Sequence, residues 1–149
     1  MPKLFSIIML IALSLFAGAE QKTVDQLKAE AEHASPDQQG RLYAELADKL
    51  VAVADKQFTD GESVKGHATV QEILEYATKA HDLVIESRKK MKETEKSLRA
   101  CDRNLENMKR TLAAEDRPKV EAVEKQVAKL TEEVLESMFA PPEKKKDHK

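Results

Sequence analysis

Apolar residues recur at three- and four-residue spacings along most of the chain, which is the spacing that one face of an α-helix produces. No stretch shows the sustained alternation of apolar and polar residues that is typical of a half-buried strand. The pattern therefore predicts an all-α protein, with helices over about residues 24–34, 36–59, 68–114 and 118–139.

Local signals mark the ends of these helices. Thr23 and Gln26 have the spacing of a capping box before the first helix, and Thr69 and Glu72 have it before the third. Pro36 follows Ser35 and suits the first position of the second helix, where its missing N–H costs nothing. These signals favour short connections between long helices.

The third predicted helix carries an unbroken series of apolar residues at seven-residue spacing, the pattern of a coiled coil. A continuous helix over residues 68–114 would be a rod of roughly 70 Å. Its second row of core positions is weak in the middle, where Ser87 and Thr94 stand. The apolar series consists of Val70, Ala77, Val84, Met91, Leu98, Leu105 and Leu112.

The fourth predicted helix repeats the seven-residue pattern with Val120, Val127 and Val134. A tight turn would fold it back antiparallel, with Val127 opposite Leu105 and Cys101 inside the contact. We therefore expect one helical domain over residues 20–139. It would consist of a small three-helix bundle (residues 23–88) extended by a long antiparallel coiled-coil hairpin (residues 89–139).

The two ends of the chain are predicted to lie outside the helical domain. Lys3, the apolar run 4–16 and the small residues Ala17 and Ala19 have the pattern of a secretory signal peptide over residues 1–19. We expect cleavage after Ala19, export to the periplasm or the exterior, and no stable membrane insertion afterwards. An uncleaved signal anchor is the alternative. Residues 140–149 predict a disordered charged tail.

Composition and charge narrow the class of protein. Charged residues make up 35% of the chain and aromatic residues 4%, so the core must be thin and aliphatic. The formal net charge is −2, and loss of residues 1–19 removes one basic residue and no acidic one. A nucleic-acid-binding protein would need a basic excess, so no nucleic acid is expected as a partner.

The residues that could carry chemistry are few. The chain has no glycine-rich phosphate loop, no Gly-x-Ser-x-Gly turn and no His-Glu-x-x-His pair, so we expect no enzyme and no catalytic residue. The one cysteine, Cys101, leaves a buried thiol or an intermolecular disulfide as the two possibilities. His81 on the third helix suggests a metal or haem ligand only if a second ligand faces it, and none is marked. No metal or cofactor is expected.

These observations predict an exported, non-enzymatic helical protein that acts through protein–protein interaction, as a scaffold, an envelope assembly factor or a self-associating element. The candidate interaction seam is the weak middle of the third helix. One alternative is a chaperone that is similar in size, export and coiled-coil arms to the hairpin-armed periplasmic holdases. Another is a small-ligand or metal carrier with a pocket near Tyr43, Phe58, Tyr76 and His81. The seam residues are Ser87, Met91, Thr94, Leu98 and Cys101.

Overall fold

The computed structural model describes residues 22–141. Within this range the chain is all-helical and has no strand, which confirms the expected fold class. The predicted signal peptide with Ala17 and Ala19, and all but the first two residues of the predicted tail, lie outside the described residues. The helices are α1 (Val24–His33), α2 (Pro36–Thr59), α3 (Ser63–Ser87), α4 (Met91–Thr111) and α5 (Arg117–Phe139).

The start of α1 is the predicted capping box. The Thr23 hydroxyl accepts the Gln26 backbone N–H at 3.2 Å, and the Gln26 side-chain oxygen accepts the Thr23 backbone N–H at 2.9 Å. Helix α2 likewise begins as predicted, with Ser35 as the N-cap and Pro36 in the first turn, although the Ser35 side chain makes no capping bond. Local signals are sufficient at these two boundaries because the atoms involved are close in sequence.

The prediction of one continuous helix over residues 68–114 is wrong. Helix α3 already begins at Ser63, and Thr69 lies inside it with its hydroxyl donating to the Gln57 side-chain oxygen at 2.6 Å. The chain then leaves the helix after Ser87 and enters α4 at Met91. The seven-residue apolar series therefore spans two helices and not a single rod.

A pair of left-handed residues makes this break. Arg88 has φ 55° and Lys90 has φ 56°, and neither is a glycine. The Arg88 backbone N–H still bonds to the Val84 carbonyl at 2.9 Å, which closes the last turn of α3. A left-handed residue after a helix is a common end, but it is usually glycine, and no glycine or proline lies between residues 67 and 117 to reveal it.

Helices α2 to α5 form one four-helix arrangement. Helix α2 packs against α3 and α4, and α5 packs against the same two, so α2 and α5 lie diagonally opposite each other. Helices α4 and α5 pack against each other as a helical hairpin, with an ion pair between Lys109 and Glu124 at 2.8 Å. That hairpin lies along α2 and α3, so a three-helix bundle with a projecting hairpin is not confirmed.

The core is aliphatic and runs through all five helices. Helix α1 covers the side of α2 and contributes Leu27 and Ala31, both fully buried. Gly40 lets α2 approach α3 closely, since a Cβ there would lie 3.2 Å from the Ala80 carbonyl oxygen. None of the helices between residues 22 and 141 is long and apolar enough to cross a membrane.

Replacing Lys90 with glycine tests the break directly. A glycine relieves the left-handed backbone at this position, so we expect Lys90→Gly to raise the free energy of unfolding by about 0.5–1 kcal/mol. Lys92→Gly, two residues further and inside α4, should lower it by about 1 kcal/mol. Urea unfolding followed by circular dichroism measures both. Equal losses for the two variants would show that Lys90 is helical.

Candidate functional site

Three members of the predicted interaction seam lie inside the bundle. Thr94, Leu98 and Cys101 are each 0% exposed, because α4 is placed between α2 and α5. Ser87 and Met91 are half-buried beside the α3–α4 connection. A partner could contact the three buried side chains only if α4 separated from its neighbours, so this part of the seam is core in this structure.

Cys101 is a free cysteine in the packed core. Burial raises the pKa of its thiol, and the nearby negative charges of Asp48 and Asp102 raise it further. A thiolate is the reactive form of cysteine, so the environment of Cys101 suppresses both disulfide exchange and metal binding. Of the two possibilities that the sequence left open, the structure places the thiol in the buried one.

The four residues of the predicted carrier pocket do not converge. The Tyr43 and Tyr76 rings stack with their centroids 5.6 Å apart, and the Lys79 ammonium lies over both rings. Phe58 meets the edge of the His67 ring elsewhere, at 5.1 Å between centroids. The aromatic side chains are engaged with each other and with cations.

Both ring nitrogens of His81 lie near carboxylates. Its Nε2 lies 2.9 Å from the Glu133 carboxylate on α5, and its Nδ1 lies 2.8 Å from the Asp82 carboxylate. No group of three or more histidine, cysteine or carboxylate side chains that could hold a metal ion occurs between residues 22 and 141. The arrangement around His81 links α3 to α5.

A groove of about 460 Å³ lies between α2 and α4, on the side of the bundle opposite the contact of α3 with α5. We call it the α2–α4 groove. Apolar atoms of Val51 and Met108 lie in it, and polar side chains from both helices surround them. Its lining residues are Asp48, Val51, Ala52, Asp55, Asn104, Asn107, Met108 and Thr111.

Charge is unevenly distributed in the α2–α4 groove. Helix α2 contributes two carboxylates, Asp48 and Asp55, whereas α4 contributes the neutral amides of Asn104 and Asn107. The Asn104 amide donates to Asp48 Oδ1 at 2.7 Å. Burial raises the pKa of Asp48, and the Asn104 hydrogen bond opposes that rise without cancelling it. The Asp48 charge is thus only partly compensated inside the protein.

The chain matches no protein-family model, no curated protein and no solved structure.

A second polar group, which we call the end cluster, joins the two connections at one end of the bundle. Asp116, in the α4–α5 connection, accepts the Ser63 hydroxyl at 3.2 Å and lies 2.8 Å from His67 Nε2. The other ring nitrogen of His67 is buried without a hydrogen-bond partner among residues 22–141. It lies beside a cavity of about 240 Å³ that Lys119 and Gln126 also line.

The end cluster contains the three residue types of a serine hydrolase triad, but the hydrogen bonds among them differ from those of a triad. In that chemistry the histidine takes the proton of the serine hydroxyl, whereas here the Ser63 hydroxyl bonds to the carboxylate and not to His67. No nucleophile is activated by this geometry. The cluster instead holds the start of α3 to the α4–α5 connection.

Sequence reasoning missed both polar groups. Asp48 and Asn104 are 56 residues apart, and Ser63 and Asp116 are 53 apart, so no local spacing connects them. The one signal present was the Asp116-Arg117-Pro118 break, which indicated a turn and nothing more. The packing of α4 against α2, which brings Asp48 to Asn104, follows only from the position of the α3–α4 break.

Replacing Thr94 with valine tests its place in the core. The Thr94 hydroxyl is buried without a hydrogen-bond partner in the described structure, so Thr94→Val removes an unsatisfied polar group at nearly constant volume. We expect the free energy of unfolding to rise by about 1 kcal/mol. The matched variant Thr78→Val, at an exposed position, should change it little. A loss of stability in Thr94→Val would contradict the assigned environment.

Removing the Asp116 carboxylate tests the end cluster. Asp116→Ala leaves Ser63 and His67 without their partner, so we expect the free energy of unfolding to fall by about 2 kcal/mol in a urea titration. Glu115→Ala, at the adjacent exposed position, is the control and should have little effect. Similar results for the two variants would mean that Asp116 contributes no more than a surface residue.

Proposed function

We propose that this protein is exported and acts by binding another protein, without catalysis, and that the α2–α4 groove receives a basic segment of that partner. The observation that carries the proposal is the groove itself, which has two carboxylates on one helix and neutral amides on the other, above a floor of buried Val51 and Met108. The export signal that the sequence predicts over residues 1–19 supports a partner in the periplasm or outside the cell.

The dimensions of the groove suit a short peptide segment. Asp48 and Asp55 are seven residues apart on α2, a rise of about 10 Å along the helix axis. A segment of three or four residues in extended conformation covers the same length. Val51 and Met108 are each only 4% exposed and form the floor of the groove, so a partner would contact mainly the polar side chains of its walls.

The charge of the groove supports a cationic occupant. Within the protein, Asp48 bonds to a neutral amide, and the nearby charges of Lys49 and Arg103 lower its raised pKa only in part. Asp55 is exposed and has no ion pair among the described side chains. A lysine or arginine from a partner would compensate both carboxylates and displace little ordered structure, because the groove is already formed.

Site-specific photo-crosslinking in the native host tests this proposal. A benzoylphenylalanine at Ala52, an exposed position in the groove, should give a discrete adduct with one partner protein. Asp48→Asn combined with Asp55→Asn should reduce that adduct at least about tenfold, since two charge contacts are lost. Glu75→Gln with Glu132→Gln, which changes the net charge equally at exposed positions elsewhere, should leave it intact.

The fold of the groove variant can be checked independently. Burial disfavours the charged form of Asp48, so neutralising this residue should not lower the free energy of unfolding. Loss of the adduct with unchanged stability would support the proposal. An adduct that survives the double substitution, or one that contains only a second copy of this chain, would overturn it. In the latter case light scattering would show a dimer.

A further inference from the structure

A cluster of exposed cations lies at the end of the bundle opposite the end cluster, flanked in the chain by Glu86 and Glu93. Four of the five residues at positions 88–92 are cationic, and all four are exposed. Lys89, Lys90 and Lys92 have no ion pair with a carboxylate of residues 22–141. We call the α3–α4 connection, the start of α4 and the end of α5 the basic tip.

Arg88 fixes the geometry of the basic tip. Its guanidinium donates to the Ser137 carbonyl at 2.8 Å and to the Ala140 carbonyl at 3.1 Å, where α5 ends. The cation also meets the negative end of the helix dipole there. With Arg88 held in this way, and with left-handed backbone at residues 88 and 90, the three lysines are presented on a defined surface.

An exposed aromatic side chain lies beside these cations. Phe139 is 81% exposed and stands directly before Ala140, the residue whose carbonyl Arg88 binds. Apart from Phe139, the one large hydrophobic side chain this exposed among residues 22–141 is Val64, at the other end of α3. An aromatic ring next to several unpaired lysines is the combination that peripheral proteins use at the interface of a bilayer.

The opposite end of the bundle is different. There Lys56 pairs with Asp60 at 2.5 Å and Lys65 pairs with Glu62 at 2.6 Å. These two lysines are therefore balanced by nearby carboxylates, whereas Lys89, Lys90 and Lys92 are not.

We propose that the basic tip docks on a bilayer that contains anionic phospholipids, with Lys89, Lys90 and Lys92 at the phosphate groups and Phe139 in the headgroup region. Binding is peripheral, because the tip offers one ring and no apolar segment. This proposal is independent of the α2–α4 groove, which lies along the bundle and stays open when the tip is docked.

Vesicle co-sedimentation tests the proposal with the protein purified from its own host in the form that the host accumulates. We expect binding to mixed phosphatidylcholine–phosphatidylglycerol vesicles at low salt, its loss at about 0.5 M salt, and no binding to pure phosphatidylcholine. Changing the three lysines, Lys89→Glu, Lys90→Glu and Lys92→Glu, should lower the partition coefficient by about 100-fold or more.

The matched control places the same charge change at the other end. Lys56→Glu with Lys65→Glu and Lys119→Glu alters the net charge equally and should preserve most of the binding. Phe139→Ser, at a position too exposed to affect the core, should lower binding about tenfold and remove any fluorescence shift of a dye attached beside it.

Several outcomes would overturn the proposal. These are equal binding to both vesicle types, unchanged binding of the lysine triple variant, or an equal loss in the control at the other end. Unchanged binding of Phe139→Ser would remove the ring from the docking surface and would equally contradict the proposal as stated. Because the crosslinking at Ala52 needs no membrane, its result separates failure of the groove from failure of the tip.

Discussion

The structure depends on the burial of the apolar side of α4 between α2 and α5. Three large side chains on α4, Leu98, Leu105 and Met108, become buried there, and each contributes about 1.5–3 kcal/mol relative to exposure. The turn that makes this possible has two left-handed residues that are not glycine, at about 1–2 kcal/mol each. Burial is the larger of the two effects, so the chain bends where a helical rod would leave α4 only half covered.

Contacts at both ends of the bundle hold the α2–α3 pair and the α4–α5 pair together. Asp116 joins the α4–α5 connection to the start of α3, and Arg88 joins the α3–α4 connection to the end of α5. Each contact links residues about 50 positions apart in the chain. Because the hairpins cannot splay freely, the α2–α4 groove and the basic tip are defined surfaces, and the two proposals concern different parts of one molecule.

Much of the fold could be predicted from local patterns. The capping box at Thr23 and the start of α2 at Pro36 depend on residues that are near in sequence. The seven-residue spacing gave no sign that α3 ends at Ser87, because the apolar series continues in phase from Val84 through Met91 to Leu98. A periodic pattern reports which residues will be buried, but not whether the helix that carries them is continuous.

The candidate sites show more clearly what could not be predicted from the sequence. Cys101 and Thr94 belong to a row that was expected to meet a partner, and they meet α2 and α5 of the same chain. Asp48 faces Asn104 only because α4 turns back beside α2. By itself the sequence determined that the protein is helical, where most helices begin and end, and which side of each is apolar, because these are properties of residues within a few turns of one another. Only the tertiary structure decided which apolar sides meet and which polar residues share a groove, because that choice depends on two unmarked left-handed residues and on the total area that each packing buries.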